Sequence, residues 1–127
     1  MASRTNQRAT ARAAARPRPP VGTSDAELIA HYRPLFDDDE ELAGTWVRAK
    51  IRDDAEARAS LATTYVPLVR YVVSRMNIAL PASLERGDLV GFGTIGLIDA
   101  IAKYDLDLGL TFQTYAVTRI RGSILDE

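Results

Sequence analysis

The stretch that decides the fold is Asp88-Leu89-Val90-Gly91-Phe92-Gly93-Thr94-Ile95-Gly96-Leu97-Ile98-Asp99-Ala100-Ile101-Ala102-Lys103-Tyr104. Placed at 100° per residue, Leu89, Val90, Gly93, Gly96, Leu97, Ala100, Ile101 and Tyr104 gather on one face of a helix. Phe92, Ile95, Ile98 and Ala102 fall away from that face, and only Asp88, Asp99 and Lys103 carry charge. A helix apolar nearly all round must be buried on more than one side. In a chain of 127 residues the second side is available to a partner. Gly91, Gly93 and Gly96 together cost roughly 3 kcal/mol relative to Ala in a helix interior. Close helix–helix approach is the compensation they predict. Gly91-Phe92-Gly93-Thr94-Ile95-Gly96 also fits G-x-G-x-x-G by letter, but the phosphate-binding version follows a strand, and these glycines sit inside a helical pattern.

Downstream, Lys103 to Leu110 is a polar, glycine-containing link, and Thr111 caps a last helix that is still running at Glu127. Ala116, Val117, Ile120 and Ile124 form its core stripe, with Phe112 at the edge, while Tyr115, Thr118, Arg119 and Gly122 gather on the far side. An exposed aromatic beside a guanidinium suits stacking on an unpaired base, and Arg119 and Arg121 can meet phosphates. The same pattern also reads Phe112 and Tyr115 as core residues with Arg119 a solvated neighbour, because aromatics at helical spacing usually pack inside.

Upstream, a helix is expected from Asp53 or Asp54 to about Met76. Leu61, Tyr65, Leu68, Val72 and Met76 recur at helical spacing, Ala62, Val69 and Val73 widen the stripe, and Thr63, Arg70, Ser74 and Asn77 lie opposite. Pro67 should kink or divide it, and Asn77 to Gly87, with Pro81, is a connection. Ser24 or Thr23 can cap a short helix over Asp25 to Tyr32, closed by Pro34. The acidic run Asp37, Asp38, Asp39, Glu40 and Glu41 opens a further helix through Leu42, Trp46 and Val47. No alternation is long enough to build a sheet, so the domain is expected to be all-α.

Composition narrows the function. Cysteine is absent, excluding disulfides and thiolate metal sites. His31 is the single histidine, too few for a histidine-rich metal site. No apolar run approaches the roughly 20 residues that span a bilayer, and Met1 to Pro20 lacks the apolar core of a secretory signal, so a cytoplasmic protein without membrane contact is expected. The net charge of −1 says nothing by itself about nucleic acid. Arg4, Arg8, Arg12, Arg16 and Arg18, however, lie in a start that contains no acid. Residues 1–22 read as a disordered, solvated tail. A basic arm for nucleic acid or acidic protein and a transit peptide are the other readings of that composition. No constellation of nucleophile, base and acid appears, so no enzyme is expected.

The run from Asp88 to Ile101 with Lys103-Tyr104-Asp105 resembles a helix of the sigma-70 family of bacterial RNA polymerase sigma factors. Phe112-Gln113-Thr114-Tyr115-Ala116 with Arg119-Ile120-Arg121-Gly122 resembles the next helix, and Tyr65-Val66-Pro67-Leu68-Val69-Arg70-Tyr71-Val72 the one before. The Gly-Leu-Ile-Asp-Ala-Ile and Arg-Ile-Arg-Gly-x-Ile-x-Asp-Glu variants are similar to the flagellar and sporulation subgroup, and the resemblance covers about residues 43–127. It implies a helical region 2, at 53–127, incomplete at its C-terminus, preceded by short helices at 23–52.

The resemblance further implies binding to core RNA polymerase, through a coiled coil of its largest subunit, by Asp88, Gly91, Phe92, Thr94, Ile95 and Ile98. It implies contact with promoter DNA, the non-template −10 strand, by Phe112, Thr114, Tyr115, Thr118, Arg119 and Arg121. Phe112, Thr114 and Tyr115 match positions that help hold a base flipped from the duplex. Thr118 and Arg119 stand where housekeeping factors carry two tryptophans, which implies stricter promoter dependence. An anti-sigma protein is a further candidate partner; no cofactor is implied. Family members continue past Asp126-Glu127, so the chain is expected to be a fragment or a truncated product. A truncated polymerase- or anti-sigma-binding fragment without initiation activity is the alternative function, and a structural helical protein is a third.

Overall fold

The computed structural model describes residues 17–76 and 85–126, and these form six α-helices and one 3-10 turn, without a strand among them. The helices are α1 (Asp25–Tyr32), α2 (Glu40–Lys50), α3 (Ala55–Thr64), α4 (Val66–Arg75), α5 (Arg86–Lys103) and α6 (Phe112–Leu125), with the 3-10 turn over Arg33–Phe36. The all-α expectation holds. Most of the expected tail, together with Asn77 and Pro81 of the expected connection, lies outside the described residues.

Short side chains at the expected places open most of these helices. Ser24 accepts a hydrogen bond from the Glu27 amide at 3.2 Å, so of the two candidate caps it is Ser24 that serves α1. Pro34 does not end the chain's helical course at once; it sits in the first turn of the 3-10 segment, where its missing N–H costs nothing. Asp37 and Asp38 then take left-handed backbone conformations, φ 55° and 59°, which aspartate tolerates better than most residues. Asp39 follows as the cap of α2, accepting from the Leu42 amide at 3.0 Å. The acidic run is thus a turn and a helix start.

Asp54 caps α3, and the expected long helix is divided at Tyr65, with Pro67 in the first turn of α4. Helix α5 begins at Arg86, two positions before the sequence pattern placed it, and the Asp88 carboxylate accepts the Glu85 amide at 2.8 Å. Thr111 caps α6 as expected.

The core is an aromatic cluster. Trp46 of α2 is fully buried and lies 4.7 Å from Phe112, 5.3 Å from Tyr104, 5.5 Å from Phe36 and 6.0 Å from Tyr65, centroid to centroid. Its indole N–H, which would be costly to bury unpaired, donates to the Tyr65 hydroxyl at 3.1 Å. Leu61, Val69, Leu97, Ala116 and Ile120 complete the interior between α3, α4, α5 and α6. Lys50, at the end of α2, donates to the carbonyls of Ile101 and Ala102 at 3.0 and 2.7 Å, placing a cation on the C-terminal end of α5. Burial lowers the Lys50 pKa.

The segment before α1 also touches the domain. Arg18 pairs with Asp107 in the α5–α6 link at 2.9 Å, and the Tyr32 hydroxyl donates to the other oxygen of that carboxylate at 2.9 Å. The last residues of the expected tail are therefore fastened to the helical body.

Candidate nucleic-acid and polymerase interface

Helices α5 and α6 pack along a seam of small residues, and that seam sets the direction of everything on their outer faces. A Cβ added at Gly96 would come within 2.7 Å of the Ser123 Cβ, 2.8 Å of the Arg119 carbonyl and 3.0 Å of the Ile120 Cα. One added at Gly93 would meet a Val69 methyl at 2.7 Å and methyls of Ile120 and Ile124 at 3.2 Å. Both glycines therefore mark close approach, as the sequence pattern proposed. Gly91 does not: nothing lies within 4 Å of its added Cβ, because it faces outward.

With Leu89, Gly93, Gly96, Leu97, Ala100 and Ile101 turned inward, the other side of α5 is largely open to solvent. Ile95 and Ile98 are 60% and 54% exposed. Asp88 and Gly91 continue this strip toward the start of the helix, and Phe92 and Thr94 flank it half-buried. The Thr94 hydroxyl is turned back onto its own helix, donating to the Val90 carbonyl at 2.7 Å. The six residues expected to face polymerase thus lie along one side of one helix. Beside Ile98, an apolar groove of about 380 Å³ runs between α3 and α5, lined by Arg58, Ala59, Ala62, Ile98, Ile101 and Ala102. Of the α3 residues of that groove, Ala62 was read in the sequence as part of a core stripe, while Arg58 and Ala59 carried no signal there.

The residues expected to meet DNA divide in two. Thr114, Thr118 and Arg121 are exposed on α6, and Tyr115 and Arg119 are half-buried beside them. Phe112 is a correction. Its ring is 0% exposed, wedged against Trp46, Tyr65 and Tyr104 at 4.6–5.3 Å, so it offers no surface to a base. It belongs to the core, as the competing reading of the pattern had it, because the first turn of α6 points into the aromatic cluster. Tyr115 stands between the two groups, 5.5 Å from Tyr104 on the inside and 4.7 Å from the Arg119 guanidinium carbon on the outside. Asp99 of α5, absent from the residues singled out in the sequence, accepts Lys103 at 2.9 Å and Arg119 at 3.1 Å. The bond from Lys103, and the two cations together, hold its carboxyl below the usual carboxylate range.

Comparison with known proteins identifies the family. The model of sigma-70 region 2 matches residues 61–127. The RNA polymerase sigma-D factor of Bacillus subtilis is 44% identical over 81 residues, which are 64% of this chain and 32% of that protein. The RNA polymerase sigma factor FliA of Escherichia coli K12 is 53% identical over 68 residues, 54% of this chain and 28% of its own. FliA of Pseudomonas aeruginosa is 41% identical over 86 residues, 67% of this chain and 35% of its own. The chain therefore spans about a third of the length of the curated relatives it matches, and those relatives support the flagellar-type subgroup. With more than half of its residues in the matched segment, this chain belongs to the sigma-70 region 2 family.

Proposed function

We propose that the chain is the promoter-recognition module of a sigma factor for transcription initiation. On this reading the outer strip of α5 docks on core RNA polymerase and the outer side of α6 meets the non-template −10 strand. The observation that carries the proposal is the pair Ile95 and Ile98, exposed one turn apart on a helix whose opposite side is sealed in the core. Contiguous exposed apolar surface marks an interaction site, whereas apolar side chains scattered singly do not. The coiled coil of the largest polymerase subunit would lay a helix along the strip, with the α3–α5 groove taking an apolar side chain beside Ile98. An anti-sigma protein covering Ile95 and Ile98 would compete for the same place.

On α6, Thr114, Tyr115, Thr118, Arg119 and Arg121 would receive the unpaired strand, with Phe112 supporting Tyr115 from within through Tyr104. The chain contributes recognition and leaves bond-making to the polymerase, in the cytoplasm. Ile98→Glu tests the reading: the helical circular dichroism signal should persist while co-purification with core RNA polymerase is lost. A folded Ile98→Glu variant that still co-purifies would remove α5 from the interface.

A further inference from the structure

Arg119 does not stand free on the outer side of α6. One guanidinium nitrogen donates to Asp99 at 3.1 Å, and the guanidinium carbon sits 4.7 Å from the centre of the Tyr115 ring. The Tyr115 ring rests in turn on Tyr104, which is buried against Trp46 and Phe112. These groups make a chain of tilted and edge-on ring contacts from the core to the surface, ending in a cation and fastened at its outer end by a residue of the neighbouring helix. Tyr115 leans on one ring at 48° and carries the Arg119 guanidinium carbon over its own ring, so the guanidinium is the outer group of the three.

We propose that Asp99 is a positioning residue for strand recognition: it holds the Arg119 guanidinium over Tyr115 so that its outer plane receives an unpaired base. The inference rests on the reading of α6 as the strand-facing helix and moves the stacking surface from the phenol ring to the guanidinium. Guanidinium is planar and weakly hydrated and stacks on aromatic faces, whereas an ammonium offers a point charge and no plane. An ion pair whose side chains are 42% and 39% exposed contributes little to folding. What it supplies is direction, removing rotamers that would carry Arg119 off the ring. Because Asp99 also takes Lys103, two cations meet one anion, and the cluster keeps a net positive charge toward a phosphate backbone. The position of Asp99, one turn beyond Ile95 on α5, places this fastening at the border between the two proposed faces.

The experiment uses the full-length protein reconstituted with core RNA polymerase. Single-stranded −10 oligonucleotides, intact and with each base in turn replaced by an abasic site, are titrated by fluorescence anisotropy. The parent should bind the intact strand on the order of tenfold more tightly than one of the abasic strands. Asp99→Ala should lower that ratio roughly threefold to fivefold without moving the melting temperature, and Asp99→Glu should recover most of it. Arg119→Lys should lose the ratio as fully as Arg119→Ala, although it keeps the charge. Adding Asp99→Ala to Arg119→Ala should cost nothing more, since the two act through one contact. An Asp99→Ala variant with the parental ratio, or with a higher one because Asp99 restrains Arg119 from the strand, would overturn the proposal. So would an Arg119→Lys variant that keeps the ratio. A parent that binds intact and abasic strands alike would overturn the strand-facing reading of α6, and this inference with it.

Discussion

The Ser123 hydroxyl donates to the Phe92 carbonyl at 2.8 Å, crossing from α6 to α5 at the place where Gly96 lets the two helices meet. A carbonyl in mid-helix already accepts from its own helix; the second bond forms only because no side chain separates the backbones. The seam ties the helix proposed to hold polymerase to the helix proposed to meet DNA, so the register of one fixes the register of the other.

Two glycines on α5 should therefore respond in opposite directions. Gly96→Leu should destabilise by roughly 1–3 kcal/mol through overpacking, despite better helix propensity. Gly91→Ala, with open space around it, should stabilise by up to about 1 kcal/mol. Thermal melts of both variants check this, and a Gly96→Leu protein melting at or above the parent would show that the seam tolerates a side chain.

How much of this was legible in the sequence depends on the kind of evidence each feature leaves. The inward face of α5 was readable because Leu89, Leu97 and Ile101 repeat at helical spacing, and so was the cap Thr111, while the structure chose Asp54 between two candidate aspartates. The division at Pro67 followed from the missing amide. Phe112 was ambiguous because it stands at the edge of its helical stripe, where spacing cannot say whether the first turn points inward; the rings of Trp46, Tyr65 and Tyr104 decide that, and the first two come from distant segments. The pairing of Asp99 was invisible for the same reason. Its partner Arg119 is twenty residues away on another helix, and only the packing angle of α5 on α6 brings the two within reach.

Alkaline pH should weaken the fold through Tyr32. Burial, then its hydrogen bond to Asp107, then the charge of Asp107 push its pKa up from 10.0 to about 12. Because the folded state holds this proton more tightly than the unfolded chain, the stabilisation is fully present below pH 10 and is lost as the pH rises from 10 toward 12. The loss is on the order of 2 kcal/mol. Urea unfolding of the parent across that range should show a falling midpoint, and Tyr32→Phe should remove part of the fall while starting from lower stability, the rest belonging to Tyr65 and Tyr104, whose hydroxyls burial also pushes up. Equal slopes for the two proteins would assign the alkaline sensitivity elsewhere.

The Trp46–Tyr65 bond should behave as a coupled pair. Tyr65→Phe leaves the buried indole N–H without its acceptor and should cost about 1–3 kcal/mol. Trp46→Phe removes the donor but also opens space, and should cost more on its own. The double variant should be less destabilised than the sum of the two, because the orphaned donor is then gone. Strict additivity in chemical denaturation would mean that the bond contributes nothing.

The helix proposed to face the strand yields the sharpest contrast, between Phe112 and Arg121, residues that the family resemblance places together and the structure separates. Phe112→Ala empties the middle of the aromatic cluster and should cost roughly 3–5 kcal/mol in stability, so its loss of DNA binding would follow from loss of fold. Phe112→Leu, which keeps much of the volume, should retain both fold and binding if the ring's role is packing. Arg121 is exposed and has no side-chain partner among the ion pairs of the described residues. Arg121→Ala should leave the melting temperature unchanged and weaken single-strand binding evenly across sequences, as a phosphate contact does. Counterion release gives that contact a measurable signature: the slope of log affinity against log salt should become shallower by about 0.7 for a single strand. An unchanged slope in Arg121→Ala would take Arg121 off the strand. A stable Phe112→Leu protein that no longer discriminates intact from abasic strands would return Phe112 to the base pocket, by way of a conformation in which α6 swings its first turn outward.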